Sequence, residues 1–212
     1  IQPQLPEVQV AQGWILYADR KYDEAIHCCR QAIERKRDCE GAYYLLGRAL
    51  FASGRYQEVA SIAEAAIEAT GDDYNVYVPI ENSLKALGKD EMVRNLRPRR
   101  ILALENHLTH VPEDARARTH LAVAYISLGR PEDAVRELNL AMALRPNDAM
   151  VLYNSACVFC VMEKKSEALG ALSRAWDAGY KDADWARHDP DLAQLHGDTE
   201  FERMFPEPAA GA

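Results

Sequence analysis

Small residues recur in this chain every 34 residues, and that period constrains its fold more than any other feature. Ala25, Val59 and Val93 are 34 apart, and so are Ala134 and Ala168. The run GRPEDAVRELNLAMALRPND (129–148) sets Ala134, Ala141 and Pro146 behind Gly129, and GRYQEVASIAEAAIEATGDD (54–73) sets Tyr56, Val59, Ala66 and Gly71 behind Gly54. Upstream the same register holds Tyr22, Ala25 and Ala32, and downstream Ala168 and Ala175. Each period reads as two helices. In GAYYLLGRALFASG the apolar residues keep helical spacing through Tyr43, Leu46 and Leu50, Gly54 breaks the helix, and YQEVASIAEAAIEAT resumes the period until Gly71. Alanine at 25 and 134 lets two antiparallel helices approach closely, because the facing side chain is small. Pro112 and Pro146, followed by Glu113-Asp114 and Asn147-Asp148, stop one helix and cap the next.

A 34-residue helix-turn-helix unit with this pattern resembles the tetratricopeptide repeat. Aligned on it, the units run 6–39, 40–73, 74–114, 115–148 and 149–180. Tyr43, Leu46, Gly47 and Leu50 carry unit two, and Leu121, Ala122, Tyr125, Gly129, Ala134, Leu138, Ala141 and Pro146 carry unit four. Unit one keeps Gly13, Tyr22, Ala25 and Ala32 but has Gln9 and Gln12 where larger apolar residues are usual. The resemblance implies an all-α fold, a right-handed superhelix over residues 1–180. Unit three breaks the period: Val93 to Ala134 is 41 residues, 34 plus 7, which lengthens its second helix by about two turns while keeping the same face inward. Pro98 inside that helix is expected to bend or interrupt it, and Pro79 to do the same to the first helix or to set its start. Residues 181–205, with Asp189-Pro190 and Asp198 as caps and Trp185, Leu192, Leu195, Phe201 and Phe205 as cover, read as a helical terminal cap, and 206–212 as a loose tail. The last repeat and this tail resemble tetratricopeptide segments behind kinase or cyclase modules in bacterial signalling proteins. Ile1 in place of Met reads as the start of a segment cut or trimmed from a longer chain.

Charge and composition exclude several classes. A net charge of −8 repels nucleic acid and anionic membranes, and no apolar run approaches the roughly 20 residues that span a bilayer. The odd set Cys28, Cys29, Cys39, Cys157 and Cys160 lies within apolar helical patterns and does not form a disulfide framework, which fits a reducing, cytoplasmic setting. No phosphate loop, Ser-His-Asp set or metal cluster is present, so no cofactor, metal or catalytic residue is expected. Cys157 and Cys160 have CxxC spacing, but they sit inside a helix with no strand before them and no second ligand pair, so packing is the expected role. The acidic string around His188 fails the calcium-loop template at Arg187 and Ala193 and reads as helix capping. His107, His110 and His120 do not share one helix face.

In repeats of this kind the first helices line the concave side. Periodicity then assigns Trp14, Tyr17, Tyr44, Arg48, Phe51, Asn82, Lys85, Arg116, Thr119 and Tyr153 to a groove, where a peptide would lay side chains on the aromatic residues and place acidic groups against Arg48, Lys85 and Arg116. The same stripe also suits plain helix packing with solvated charges. The Lys and Asn arrangement with which some relatives clamp chaperone C-termini is absent, because Val10 and Trp14 stand at those places in unit one. Arg94, Arg97, Arg99 and Arg100 read as a solvated outer face, with a docking patch for an acidic partner as the other reading. The expected function is a non-enzymatic scaffold that binds a protein or peptide of unknown identity. The alternative is a structural or regulatory segment that packs on an attached signalling module or self-associates. A CxxC redox or metal protein comes last.

Overall fold

The computed structural model describes residues 5–206 of the chain, so the expected loose tail lies, from residue 207 on, outside the described residues. Every regular element among them is helical. The order is α1 (Pro6–Ala18), α2 (Tyr22–Arg35), α3 (Ala42–Ala52), α4 (Tyr56–Thr70), α5 (Tyr77–Ala86), α6 (Asp90–His110), α7 (Ala115–Ser127), α8 (Pro131–Leu144), α9 (Ala149–Val161), α10 (Lys165–Asp177), α11 (Ala183–His188) and α12 (Thr199–Met204). Short 3-10 turns cover Tyr74–Val76 and Pro190–Leu195.

Contacts divide the chain into two compact units, 1–103 and 104–212, with the division inside α6. In the first unit α1 packs on α2 and α3, α3 packs on α2, α4 and α5, and α4 on α5. In the second, α7 packs on α8 and α9, α9 on α10 and the 190–195 turn, and α10 on α12. Within the units α1, α3 and α7 each touch their own partner and the next first helix, which is how stacked helix pairs share buried surface.

The sequence explains these contacts locally. Ala25, Ala32, Ala66, Ala134, Ala141, Ala168 and Ala175 are all buried. Gly47 is required by proximity: a Cβ there would lie 2.7 Å from Cγ of Pro79. Within each pair the chain turns through a left-handed residue. Gly54, Gly88 and Gly129 take it at φ +73°, +66° and +70°, whereas Arg20 and Glu163 hold the same turn at +61° and +62°. Asp114, Asp148, Asp182, Asp189 and Asp198 accept backbone N–H bonds at the starts of the following elements.

Two prolines behave differently from one another. Pro79 falls in the first turn of α5, where its ring excludes an α-helical carbonyl at residue 75, and the preceding residues form a 3-10 turn instead. Pro98 does not interrupt α6, which runs unbroken through it for 21 residues. The expected interruption is absent because Pro98 and Arg94, the residue whose carbonyl loses its partner, are both exposed, so water can serve the freed group.

Candidate functional site

The site residues chosen from the sequence fall in both units and are described unit by unit. In the first unit Trp14, Arg48 and Asn82 are spaced by 34, as are Tyr17, Phe51 and Lys85. Arg48 is only 7% exposed. Its Nη2 donates to the Tyr17 hydroxyl at 3.0 Å and its Nη1 to the Tyr44 hydroxyl at 3.2 Å, with the guanidinium 5.1 Å and 5.8 Å from the two ring centroids. Trp14 stands edge-on to Tyr17 at 5.9 Å and tilted to Tyr44 at 5.8 Å, and it remains 36% exposed. This is one cluster on α1 and α3: a fixed cation framed by phenols, with an indole at its open side.

Three of the chosen residues present no open surface. Phe51 is fully buried, with its ring 5.2 Å from that of Tyr56. Thr119, in the second unit, is fully buried: its hydroxyl donates to the Arg116 carbonyl and accepts from Asn154 Nδ2. Tyr153 is buried because the C-terminal segment folds over it; its hydroxyl donates to Asp189 Oδ2 at 2.7 Å, and the Tyr180 ring stacks on it at 4.1 Å. Asn82 is buried too, while Lys85 and Arg116 are half-buried.

The largest departure from expectation is at the basic run. Arg94 and Arg99 are exposed, and Arg99 pairs with Glu64 at 3.0 Å, but Arg97 is half-buried and Arg100 is 4% exposed. Both turn toward Glu81, itself 2% exposed. Arg100 Nη1 donates to Glu81 Oε2 at 2.5 Å, Lys85 Nζ lies 3.4 Å from Oε1, and Arg97 Nε 4.0 Å from it. Burial pushes the Glu81 carboxyl up, but Arg100 first, then Lys85 and Arg97, outweigh burial and bring it down to about 2. A signal for this cluster existed in the period. Glu81 stands 34 residues after Gly47 and 68 after Gly13, and Arg100 stands 34 after Ala66 and 68 after Ala32. In the second unit the corresponding places hold Ala122 and Ala156, and Ala141 and Ala175. The third repeat therefore carries an ion pair where the other four carry two small residues.

Other chemistry is sparse. Among the described residues no group of His, Cys, Asp and Glu could hold a metal ion, and no helix is long and apolar enough to cross a membrane. Cys157 and Cys160 are buried and free. Burial, and then the nearby Asp189 carboxylate, push the Cys157 thiol far up, which opposes a nucleophilic or redox role. His107 Nε2 lies 2.8 Å from Asp114 Oδ2, an N-cap contact. An open depression of about 480 Å³ on α1 and α2, lined by Gln9, Gln12, Asp23, Glu24 and His27 among others, contains none of the groove residues.

Residues 10–74 and residues 101–156 each match a family model described as tetratricopeptide repeat. No curated protein matches the chain. Among solved structures, TTC0263, a thermophilic TPR protein of Thermus thermophilus, is similar at 21% identity over 89% of this chain and 99% of its own, with a TM-score of 0.61. YrrB, a TPR protein with an unusual peptide-binding site, is similar at 17% identity over 84% and 88%, with a TM-score of 0.47. MamA of Desulfovibrio magneticus RS-1 is similar at 14% identity over 82% and 94%, with a TM-score of 0.48. The first of these likenesses shows the helical-repeat fold.

Proposed function

The chain belongs to the tetratricopeptide-repeat proteins, which generally serve as protein–protein interaction scaffolds, and from that premise we propose that it is a non-enzymatic scaffold binding a protein or peptide segment on the first-helix face of its N-terminal unit. One observation carries the reading: Arg48 is locked between the Tyr17 and Tyr44 hydroxyls while Trp14 beside it stays open to solvent. A fixed guanidinium next to an exposed indole combines a polar selector with an apolar anchor, the residue types that dominate binding energy in interfaces. Both side chains are already ordered, so a partner does not meet the entropic cost of ordering them. Lys85, half-buried, extends the surface onto α5, with Asn82 buried beneath it. The second unit takes no part in the proposal: Thr119 and Tyr153 are covered and Arg116 is half-buried. Free, buried cysteines support a reducing, cytoplasmic setting. The resemblance of 149–205 to repeats behind kinase or cyclase modules extends the reading to a bacterial signalling chain.

The test is affinity capture from native extract with wild type, Trp14→Ala, Arg48→Ala and Arg99→Ala, helicity being checked by circular dichroism. The two inner-face changes should each weaken capture by about 1–3 kcal/mol. Arg99→Ala should alter mainly salt dependence and association rate. Loss of capture with Arg99→Ala alone, the inner-face variants capturing normally, would overturn the assignment.

A further inference from the structure

The ionic cluster of the third repeat has a charge and an exposure pattern that bear on what the partner must be. Glu81 and Arg100 are sealed, yet the side chains of Lys85 and Arg97 keep 19% and 21% of their surface exposed. The same carboxylate therefore holds two half-open cations from below. The four side chains together carry three positive charges and one negative, in a chain whose net charge is −8. Lys85 sits one turn beyond Glu81 and three residues beyond Asn82 on α5, the next first helix after α3 in the N-terminal unit.

We infer that this cluster reads acidic side chains of the partner, with Lys85 and Arg97 as the contacting groups and the Glu81–Arg100 pair as their support. The inference rests on the scaffold reading above and names the chemistry of the segment bound. Three cations gathered where the other repeats carry no charged residue provide positive potential inside a helix pair, where a carboxylate is attracted more strongly than at an open surface. Glu81 keeps Lys85 and Arg97 drawn together before the partner arrives, which lowers the ordering cost of a two-cation contact. Separate carboxylates on a protein segment suit the site better than a polyanion, because the rest of the surface repels a long run of negative charge.

The probes are a fluorescein-labelled Asp/Glu-rich peptide with one central Phe and its Asn/Gln counterpart, titrated by anisotropy into wild type, Lys85→Gln, Arg97→Gln, Arg94→Gln and Trp14→Ala. Circular dichroism verifies the fold of each. The acidic peptide should bind at least about ten-fold more tightly than the neutral one, and either Lys85→Gln or Arg97→Gln should lose about ten-fold or more, in line with a charge-assisted contact. Arg94→Gln, on the exposed side of α6, should change affinity less than about two-fold. Equal binding of the two peptides, no binding of either, or an Arg94 effect as large as that of Lys85 overturns the inference. If Lys85→Gln abolishes binding while Trp14→Ala leaves it intact, the acidic site stands and the aromatic surface falls. The reverse pattern retains the aromatic surface and removes this inference.

Discussion

Removing Glu81 alone should destabilise the protein more than removing Glu81 and Arg100 together. Glu81→Ala leaves the Arg100 guanidinium buried without its carboxylate, and breaking a buried pair from one side costs about 3–5 kcal/mol. The carboxyl itself gives a second route to the magnitude. Its fall from 4.5 to about 2 on folding corresponds to about 3 kcal/mol at neutral pH. The double variant Glu81→Ala/Arg100→Ala leaves alanines in both places, as at Ala122 and Ala141, and removes the stranded charge. We expect it to cost less than Glu81→Ala alone, with a coupling of about 1–3 kcal/mol. Urea unfolding followed by far-UV circular dichroism measures wild type, Glu81→Ala, Arg100→Ala and the double variant. The pH sign is fixed as well: the folded carboxyl titrates below its unfolded value, so its contribution is present above about pH 4.5 and is lost as pH falls toward about 2. That part of the acid loss should vanish in the double variant. Single-variant costs that simply add, or an acid profile identical in wild type and double variant, would refute the reasoning.

Two backbone predictions follow from glycine placement. Gly47→Ala drives a methyl to 2.7 Å from the rigid Pro79 ring and should cost about 1–3 kcal/mol, whereas Gly170→Ala, with nothing within 4 Å of the added carbon, should gain about 0.5–1 kcal/mol in mid-helix; thermal melts that fail to separate the two contradict the packing account. Glu163→Gly relieves a left-handed residue at φ +62° and should raise stability by about 0.5–1 kcal/mol, and a lower melting temperature would show that the side chain holds the turn.

The repeats were legible because close helix approach demands small residues, and Ala25, Ala134 and Ala168 record that demand in the sequence itself. The faces of the first helices were legible in the same way, but their exposure was not. Tyr153 is closed off by Asp189 and Tyr180, and how far residues 180–195 fold back over α9 is not written in any local spacing. Thr119 was lost to a buried hydrogen bond with Asn154, a contact 35 residues away. Arg97 and Arg100 looked like a solvated run because four arginines in seven residues usually are. Their inward turn depends on Glu81, whose meaning appears only when it is set against Gly13 and Gly47. Pro98 does not interrupt α6 because a proline on the wet side of a helix leaves its unmatched carbonyl to water.

The buried thiols have a consequence for following motion in this protein. Cys28, Cys29 and Cys39 belong to the first unit, Cys157 and Cys160 to the second, and all five are enclosed. Burial, with Cys28 and Cys39 adding to it, pushes the Cys29 thiol up to about 12, so a folded molecule offers a reagent almost no thiolate there. Alkylation then proceeds through transient opening of the helix pairs, and its rate counts those openings. Mass spectrometry of the alkylated peptides carrying the two sets would time the breathing of each half of the chain separately, with no residue changed.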